Sequence, residues 1–326
     1  MTLTIQPARL ILWCAASLCS LYGSTLPADD TQLTLSPGET ESTFDFATDD
    51  MEGTIRLDGN YHGVSRLVDK RTGSQVIDSR YSALNLFKLM SVNLVMGQPR
   101  IMERSIASED NWAEVTWPET DSHLGELTAR YEVSGQNSVD VIVRLRSNGN
   151  YAAYELFMSN YFDGTLRPHV YLKPRTGDEP QLVLPTVNDV FRDTVLVFPR
   201  DPLAARHCVD GRWERSEGGV PFVQMCPVRR YGYCLAFLTD PEEQSAVVLM
   251  ARPEDCYAIS TRYHGDTEED RLTDYSAFDL SLFGDDVRPG DQRSVRVRLA
   301  LTPLDDEMSQ PLEMYRAFVN EMREDE

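Results

Sequence analysis

The chain lacks the short motifs that mark several large classes of chemistry. It has no GxSxG elbow, no phosphate-binding P-loop and no dinucleotide fingerprint, which argues against serine-hydrolase and nucleotide chemistry. It has neither a CxxC pair nor an HExxH helix motif, and its 5 histidines are scattered at positions 62, 123, 169, 207 and 264. No metal and no cofactor are expected from that pattern. The acidic run Asp266-Thr267-Glu268-Glu269-Asp270 lacks the alternating ligands of a calcium loop and reads as a solvated turn. Cations are scarce as well: 31 Lys and Arg stand against 52 Asp and Glu, a net charge of −21. Nucleic acid and anionic membranes require cationic patches, so neither is an expected partner, whereas a neutral sugar remains allowed.

Only one long apolar run is present, and it lies at the N-terminus. After a single cation at Arg9, about fourteen apolar and small residues (LILWCAASLCSLYG) follow, the pattern of a secretory signal peptide. The run is shorter than the roughly 20 residues needed to span hydrocarbon, so no membrane span is expected in the mature chain. The expected organisation is a signal over residues 1–23, cleaved between Ser20 and Ala28, and a flexible or edge-hugging lead over 24–43. A single β domain over 44–326 follows, and the product is placed outside the cytoplasm, secreted or periplasmic. Four cysteines remain after the signal: Cys208, Cys226, Cys234 and Cys256. They permit disulfides in three full connectivities, or free buried thiols, since Cys234 and Cys256 lie in apolar strand-like runs. The oligomeric state is open.

Turn residues recur along the chain, at Asp58-Gly59-Asn60, Arg71-Thr72-Gly73, Asn148-Gly149-Asn150 and Arg288-Pro289-Gly290-Asp291, with β-patterned runs between them. This spacing predicts a large antiparallel β-sandwich rather than a βαβ fold. In Glu126–Val133, Leu127, Ala129, Tyr131 and Val133 alternate with polar residues. After the break at Ser134–Asn137, Val139, Val141, Val143 and Leu145 alternate with Asp140, Ile142, Arg144 and Arg146. Near-continuous apolar runs at Tyr231–Thr239 and Gln244–Ala251 read as strands covered on both faces. At the C-terminal end, Leu312, Tyr315, Phe318, Val319 and Met322 share a helical face, which predicts one short helix near 308–323.

The third β run of the central meander, Tyr154–Phe162, ends in Met158-Ser159-Asn160-Tyr161-Phe162. With the hairpin before it, the opening VDKRTG turn and the closing SLFGDDVRPGDQRSVRVRLALTP, this run resembles the galactose mutarotase (aldose 1-epimerase) superfamily, and most of all its secreted bacterial members. There the strand ends in Asn-His-Ser-Tyr-Phe. The resemblance implies a β-supersandwich with a sugar site on its concave sheet. The Tyr-Phe pair matches, but the histidine that acts as general acid in mutarotases is replaced by Ser159, whose hydroxyl has no useful pKa for that task. The fold is therefore expected to transfer and the reaction is not.

Three clusters combine aromatic faces with polar groups in the way a sugar site requires. The first holds Trp117 and His123, with His123 expected near the concave face; Trp112 and Trp117, five residues apart, could equally point to opposite faces of one strand. The second holds Tyr154, Glu155, Ser159, Asn160, Tyr161, Arg167 and His169. Alternation puts Glu155 on the same side as Ser159, and His169 could supply the missing imidazole, although a lone histidine is as often structural. The third holds Glu254 and His264; the resemblance assigns Glu254 the late glutamate base, and a charged turn is the competing reading. Glu155, His169 and Glu254 are thus the candidate acid–base groups. The leading expectation is a secreted carbohydrate-binding protein. A sugar epimerase or polysaccharide-processing enzyme, and a structural envelope module without a ligand, are the alternatives.

Overall fold

The computed structural model describes residues 33–92, 94–174, 176–177, 179–186, 195–207, 223–226, 230–262 and 274–324. The segment expected to be a signal peptide, Cys208, Tyr263, His264 and the 266–270 acidic run lie outside the described residues. Five short strands open the described chain: β1 (Ser36–Pro37), β2 (Thr43–Ala47), β3 (Met51–Arg56), β4 (Gly63–Asp69) and β5 (Ser74–Gln75). They pair in order as an antiparallel meander. Leu35, inside the segment expected as a lead, is buried, and its N–H donates to the Asp110 carbonyl at 2.7 Å.

Next come β6 (Asn85–Ser91), β7 (Leu94–Gly97), β8 (Ser105–Glu109), β9 (Trp112–Trp117), β10 (Gly125–Gly135), β11 (Ser138–Ser147) and β12 (Tyr154–Asp163). The second half supplies β13 (Arg167–Lys173), β14 (Gln181–Val183), β15 (Val195–Pro199), helix α1 (Pro202–His207), β16 (Val223–Met225) and β17 (Arg230–Thr239). It closes with β18 (Ser245–Ala251), β19 (Cys256–Thr261), β20 (Tyr275–Phe283), β21 (Gln292–Pro303) and helix α2 (Gln310–Glu324). A nine-stranded sheet runs β14-β13-β17-β18-β21-β11-β10-β9-β8 and a seven-stranded sheet runs β16-β15-β19-β20-β12-β6-β7. All of their pairings are antiparallel except β15 with β16. The fold is an all-β antiparallel sandwich with a short C-terminal helix.

Alternation decides which side chains fill the space between the two sheets. From the nine-stranded sheet come Val139, Val141, Val143, Val297, Leu299 and Leu249, and from the seven-stranded sheet Leu156, Met158, Phe162, Phe278, Leu280 and Ile259; all are buried in one core. Period-two side-chain direction then forces the intervening residues onto the two outer faces. On the nine-stranded sheet that outer face is covered in part by α2, whose Tyr315 and Phe318 are buried. On the seven-stranded sheet it carries a cavity. Among the described residues no helix is long and apolar enough to cross a membrane.

Candidate functional site

Strand β12 sits between β20 and β6, with Ser159 opposite Asp279 and Phe157 opposite Lys88. Tyr154, Leu156, Met158 and Phe162 enter the intersheet core, so Glu155, Phe157, Ser159 and Tyr161 project from the outer face. There a cavity of about 330 Å³ opens over β12, with Phe157, Ala277 and Asp279 along the sheet. On the β6 side it is lined by Phe87, Lys88, Gln98 and Arg100, and on the β19–β20 side by Arg262 and Tyr275, with Tyr161 between. Tyr161 and Tyr275 meet edge to face with ring centroids 5.1 Å apart. Tyr81 backs both, at 4.8 and 5.3 Å, and Tyr61 packs on Tyr81 at 4.9 Å. Edge-to-face contacts of this kind hold the rings rigidly and keep flat faces available.

Asp279 is the acid of this cavity. It is 8% exposed, and its Oδ2 accepts from the Ser260 hydroxyl at 3.0 Å while Oδ1 accepts from the Asn160 N–H at 3.3 Å. Burial pushes its carboxyl up to about 6, against the opposing pull of Arg262 and of these two donors. The proton affinity of Asp279 therefore lies closer to neutrality than that of an exposed aspartate. Burial also raises the Tyr161 and Tyr275 phenols, so both stay neutral donors. The Arg262 Nη2 donates to the Tyr275 hydroxyl at 3.0 Å.

The backbone under the cavity is held by an unusual contact. Gly63 has φ +106° and lies so close to the 83–84 backbone that an added Cβ would come 2.2 Å from the Ala83 carbonyl oxygen. Leu84, a non-glycine residue at φ 56°, is strained. Its N–H donates to Asn160 Oδ1 at 2.6 Å and its carbonyl accepts from the Tyr131 hydroxyl at 2.9 Å. Those two bonds fix the path between Tyr81 and β6. Asn85, the next residue, donates from Nδ2 to the Ser159 Oγ at 3.0 Å, and its buried Oδ1 has no hydrogen-bond partner among the described residues.

Of the residues singled out from sequence, the cavity face takes Tyr161, Ser159 and Glu155; Tyr161 lines the opening and the others lie along the same face of β12. Others fall in the core and correct the expectation that they bind ligand. Trp117 is fully buried, its Nε1 donating to the Pro99 carbonyl at 2.8 Å, whereas Trp112 points the other way beneath Arg130. Tyr154 is fully buried and its hydroxyl meets His123 Nε2 at 3.0 Å, which places His123 on the inner side of β12. Burial lowers the His123 imidazole to about 4. Asn160 is buried and holds Leu84 rather than facing solvent.

His169 belongs to the other sheet. It stacks on Phe237 at 4.9 Å with planes 6° apart, and Phe237 pairs with Val248, which pairs with Ala300. Ala300 is two residues from Arg298, whose guanidinium reaches Glu321 of α2, so this row faces the helix. His169 and Ser159 thus lie on opposite outer faces, and the imidazole expected beside Ser159 is not supplied from there. Arg167, two residues before it, is 3.8 Å from Glu243. Glu254 occupies the exposed turn after β18, 3.6 Å from Arg252, which matches the charged-turn reading and leaves it outside the cavity lining. Cys234 and Cys256 are buried free thiols.

Phe87, Lys88, Arg100, Phe157, Arg262, Tyr275 and Asp279 were not legible as a group. Two carried a local signal: Lys88 in NLFKLM and Asp279 in SAFDLSLF are lone charges inside apolar strand runs, where a charge is retained only with a partner or a purpose.

No protein-family model and no curated protein matches the chain. Solved structures similar to it include a candidate aldose 1-epimerase from Escherichia coli K12, at 8% identity and TM-score 0.48 over 80% of this chain and 100% of that one. An aldose epimerase homologue from Caenorhabditis elegans gives 10% identity and TM-score 0.47 over 80% and 98%. The galactose 1-epimerase of Lactobacillus acidophilus gives 10% and 0.43 over 82% and 98%.

Proposed function

We propose that this chain is an exported protein that binds a saccharide in the outer-face cavity of the seven-stranded sheet. The observation that carries the reading is the cavity itself. Its volume of about 330 Å³ falls within the range of small-molecule sites, and it combines aromatic faces with a few converging polar groups. Pyranose rings present C–H faces to aromatics such as Phe157, Tyr161 and Tyr275, and their hydroxyls suit Asp279, Gln98 and Arg262. Within the described lining Asp279 is the one carboxylate, accompanied by the Lys88 amine and the Tyr161 and Tyr275 phenols and by no imidazole. Epimerisation at an anomeric carbon needs two groups that titrate near neutral pH on opposite sides of one ring, so binding is the stronger reading.

Isothermal titration of the mature protein against a panel of mono- and oligosaccharides tests it, with Tyr161→Ala as the control variant. Binding weakened at least about tenfold by Tyr161→Ala is the expected result, since aromatic anchors carry a large share of site energy. No binding to any saccharide would remove the proposal. For the export part, N-terminal sequencing of protein recovered from the cell envelope or medium is expected to start between residues 20 and 28; an intact N-terminus on cytosolic protein would oppose it.

One observation favours catalysis as a second reading: the carboxyl of Asp279, held near 6, is suited to proton transfer at neutral pH. Anomer interconversion or glycan cleavage followed by NMR, lost in Asp279→Asn, would establish it. Turnover unchanged in that variant would exclude Asp279 from the chemistry.

A further inference from the structure

Tyrosines in this structure are placed in two contrasting ways. Those that serve the core have bonded hydroxyls: Tyr131 donates to the Leu84 carbonyl at 2.9 Å, Tyr231 donates to the Cys256 carbonyl, Tyr154 meets His123 Nε2 at 3.0 Å and Tyr315 accepts from the Cys234 N–H at 3.3 Å. All four are buried. Tyr61, Tyr81, Tyr161 and Tyr275 are only half-buried, and they gather beside the outer face of the seven-stranded sheet. Tyr161 and Tyr275 line the cavity, whereas Tyr81 and Tyr61 lie beyond its lining. The hydroxyls of Tyr61 and Tyr81 have no hydrogen-bond partner among the described residues.

Backbone pairing brings these rings together from distant segments. The Asp78 N–H donates to the Tyr161 carbonyl at 3.3 Å, the Tyr161 N–H donates to the Ser82 carbonyl at 3.1 Å, and the Ser82 hydroxyl donates to the His62 carbonyl at 2.8 Å. The segments that carry Tyr61 and Tyr81 are thereby laid along the end of β12. Arg56 ties the two together: its Nε and Nη2 donate to the Tyr61 carbonyl at 3.0 and 2.7 Å, and Nη2 also reaches the Tyr81 carbonyl at 3.5 Å. Arg80, held by Asp78 at 2.7 Å and Asp274 at 3.0 Å, lies 5.1 Å from the Tyr81 ring centroid. Outward from the cavity, ring centroids step from Tyr275 to Tyr81 at 5.3 Å and from Tyr81 to Tyr61 at 4.9 Å. Rings fixed in this way before a ligand arrives lose little freedom on binding it. A contiguous aromatic surface left partly open marks a contact site more often than scattered exposed rings do, and this one continues a concave site.

We propose that the saccharide bound here is a chain of at least two pyranose rings, one in the cavity over Phe157 and Tyr161 and the next on Tyr81 and Tyr61. The inference rests on the saccharide-binding reading above and names its ligand class, an oligosaccharide or the end of a polysaccharide rather than a free monosaccharide. Tyr161 and Tyr275 belong both to the cavity lining and to the tyrosine group, so a second ring linked to the first passes from one to the other without leaving aromatic surface. Phenol rings offer apolar faces to sugar C–H groups and hydroxyls to sugar oxygens, the amphipathic match that favours tyrosine at binding surfaces. Such a surface responds to the length of the chain, while Asp279 and Gln98 respond to the hydroxyl pattern of the first ring.

The test titrates the mature protein with the mono-, di-, tri- and tetrasaccharides of the cello-, malto-, chito- and galacto-oligosaccharide series. In a series that binds, affinity is expected to rise about tenfold from mono- to disaccharide and then to level off, a step of the size an aromatic anchor contributes. That length dependence is read in wild-type protein and needs no variant. Tyr61→Ala, checked for an unchanged melting transition, is expected to shrink the step to less than about threefold, and Tyr61→Phe, which keeps the ring, to retain most of it. Equal affinities along every binding series would overturn this inference and leave saccharide binding standing. A step that Tyr61→Ala leaves at full size would overturn the placement of the second ring on these tyrosines. Absence of binding by every probe would overturn both readings.

Discussion

The two outer faces of the sandwich each bury an aspartate beside an arginine, and they use it in opposite ways. On the nine-stranded sheet Asp140 is fully buried, but Arg298 donates to both of its oxygens at 2.7 and 2.9 Å and then reaches Glu321 of α2 at 2.7 and 2.9 Å. Partnership there compensates desolvation, and burial under the helix pins α2 to the sheet; Phe318 completes the contact beneath the guanidinium at 5.1 Å. On the seven-stranded sheet Asp279 accepts from a serine hydroxyl and a backbone N–H, and burial raises its carboxyl to about 6. A buried acid with a saturated ionic partner reads as architecture. One whose proton affinity has been moved toward neutrality, facing an open cavity, is a candidate for function.

Breaking the architectural face should give the largest effect. Arg298→Met leaves Asp140 buried without its bidentate partner and is expected to cost about 3–5 kcal/mol in urea unfolding, with saccharide affinity of the folded fraction unchanged. At the cavity face the effect depends on pH. The fold raises Asp279 above its unfolded value of 3.8, so the native state holds the proton more tightly and stability falls as pH climbs through about 6. Asp279→Asn is therefore expected to be more stable than wild type by on the order of 2–3 kcal/mol at pH 8 and nearly equal to it at pH 3, seen by unfolding at both values. His123 carries the opposite sign: its imidazole is lowered to about 4, so its contribution is lost as pH falls from 6.5 toward 4.

Asn160→Ala sharpens the comparison further, because it removes the acceptor for the Leu84 N–H without touching the cavity lining. A loss of about 1–3 kcal/mol is expected, together with weaker ligand binding as the Tyr81–Asn85 segment relaxes; unchanged affinity would show that the segment is held by other contacts. The smallest effect is expected at the exposed turn, where Glu254→Gln should stay within about 0.5 kcal/mol of wild type and leave binding unaltered.

Much of the fold was legible. Strand β10 has the burial alternation expected of Leu127, Ala129, Tyr131 and Val133, the hairpin turns at Gln136–Asn137, and β18 is buried throughout, as its continuous apolar run implied. Helix α2 lies within two residues of the expected span, with Tyr315 and Phe318 as its buried pair. The site was legible only in part. Tyr161, Ser159 and Glu155 share a face of β12, as parity requires, but Asp140 also occupies a polar position of an alternating strand and is fully buried by its arginine and the helix. Parity says that two residues share a face; it does not say what covers that face.

By itself the sequence determined the strands, their inward and outward residues, and the terminal helix, because side-chain direction in a strand depends only on local backbone geometry. The tertiary structure decided that β12 lies between β6 and β20, that Lys88 and Asp279 therefore reach one cavity, and that His169 lies across the sandwich from Ser159. These pairings join residues far apart in the chain, such as Phe157 with Lys88 and Ser159 with Asp279, and no local pattern encodes them. They follow from closing two hydrophobic faces on each other, which is a property of the whole chain.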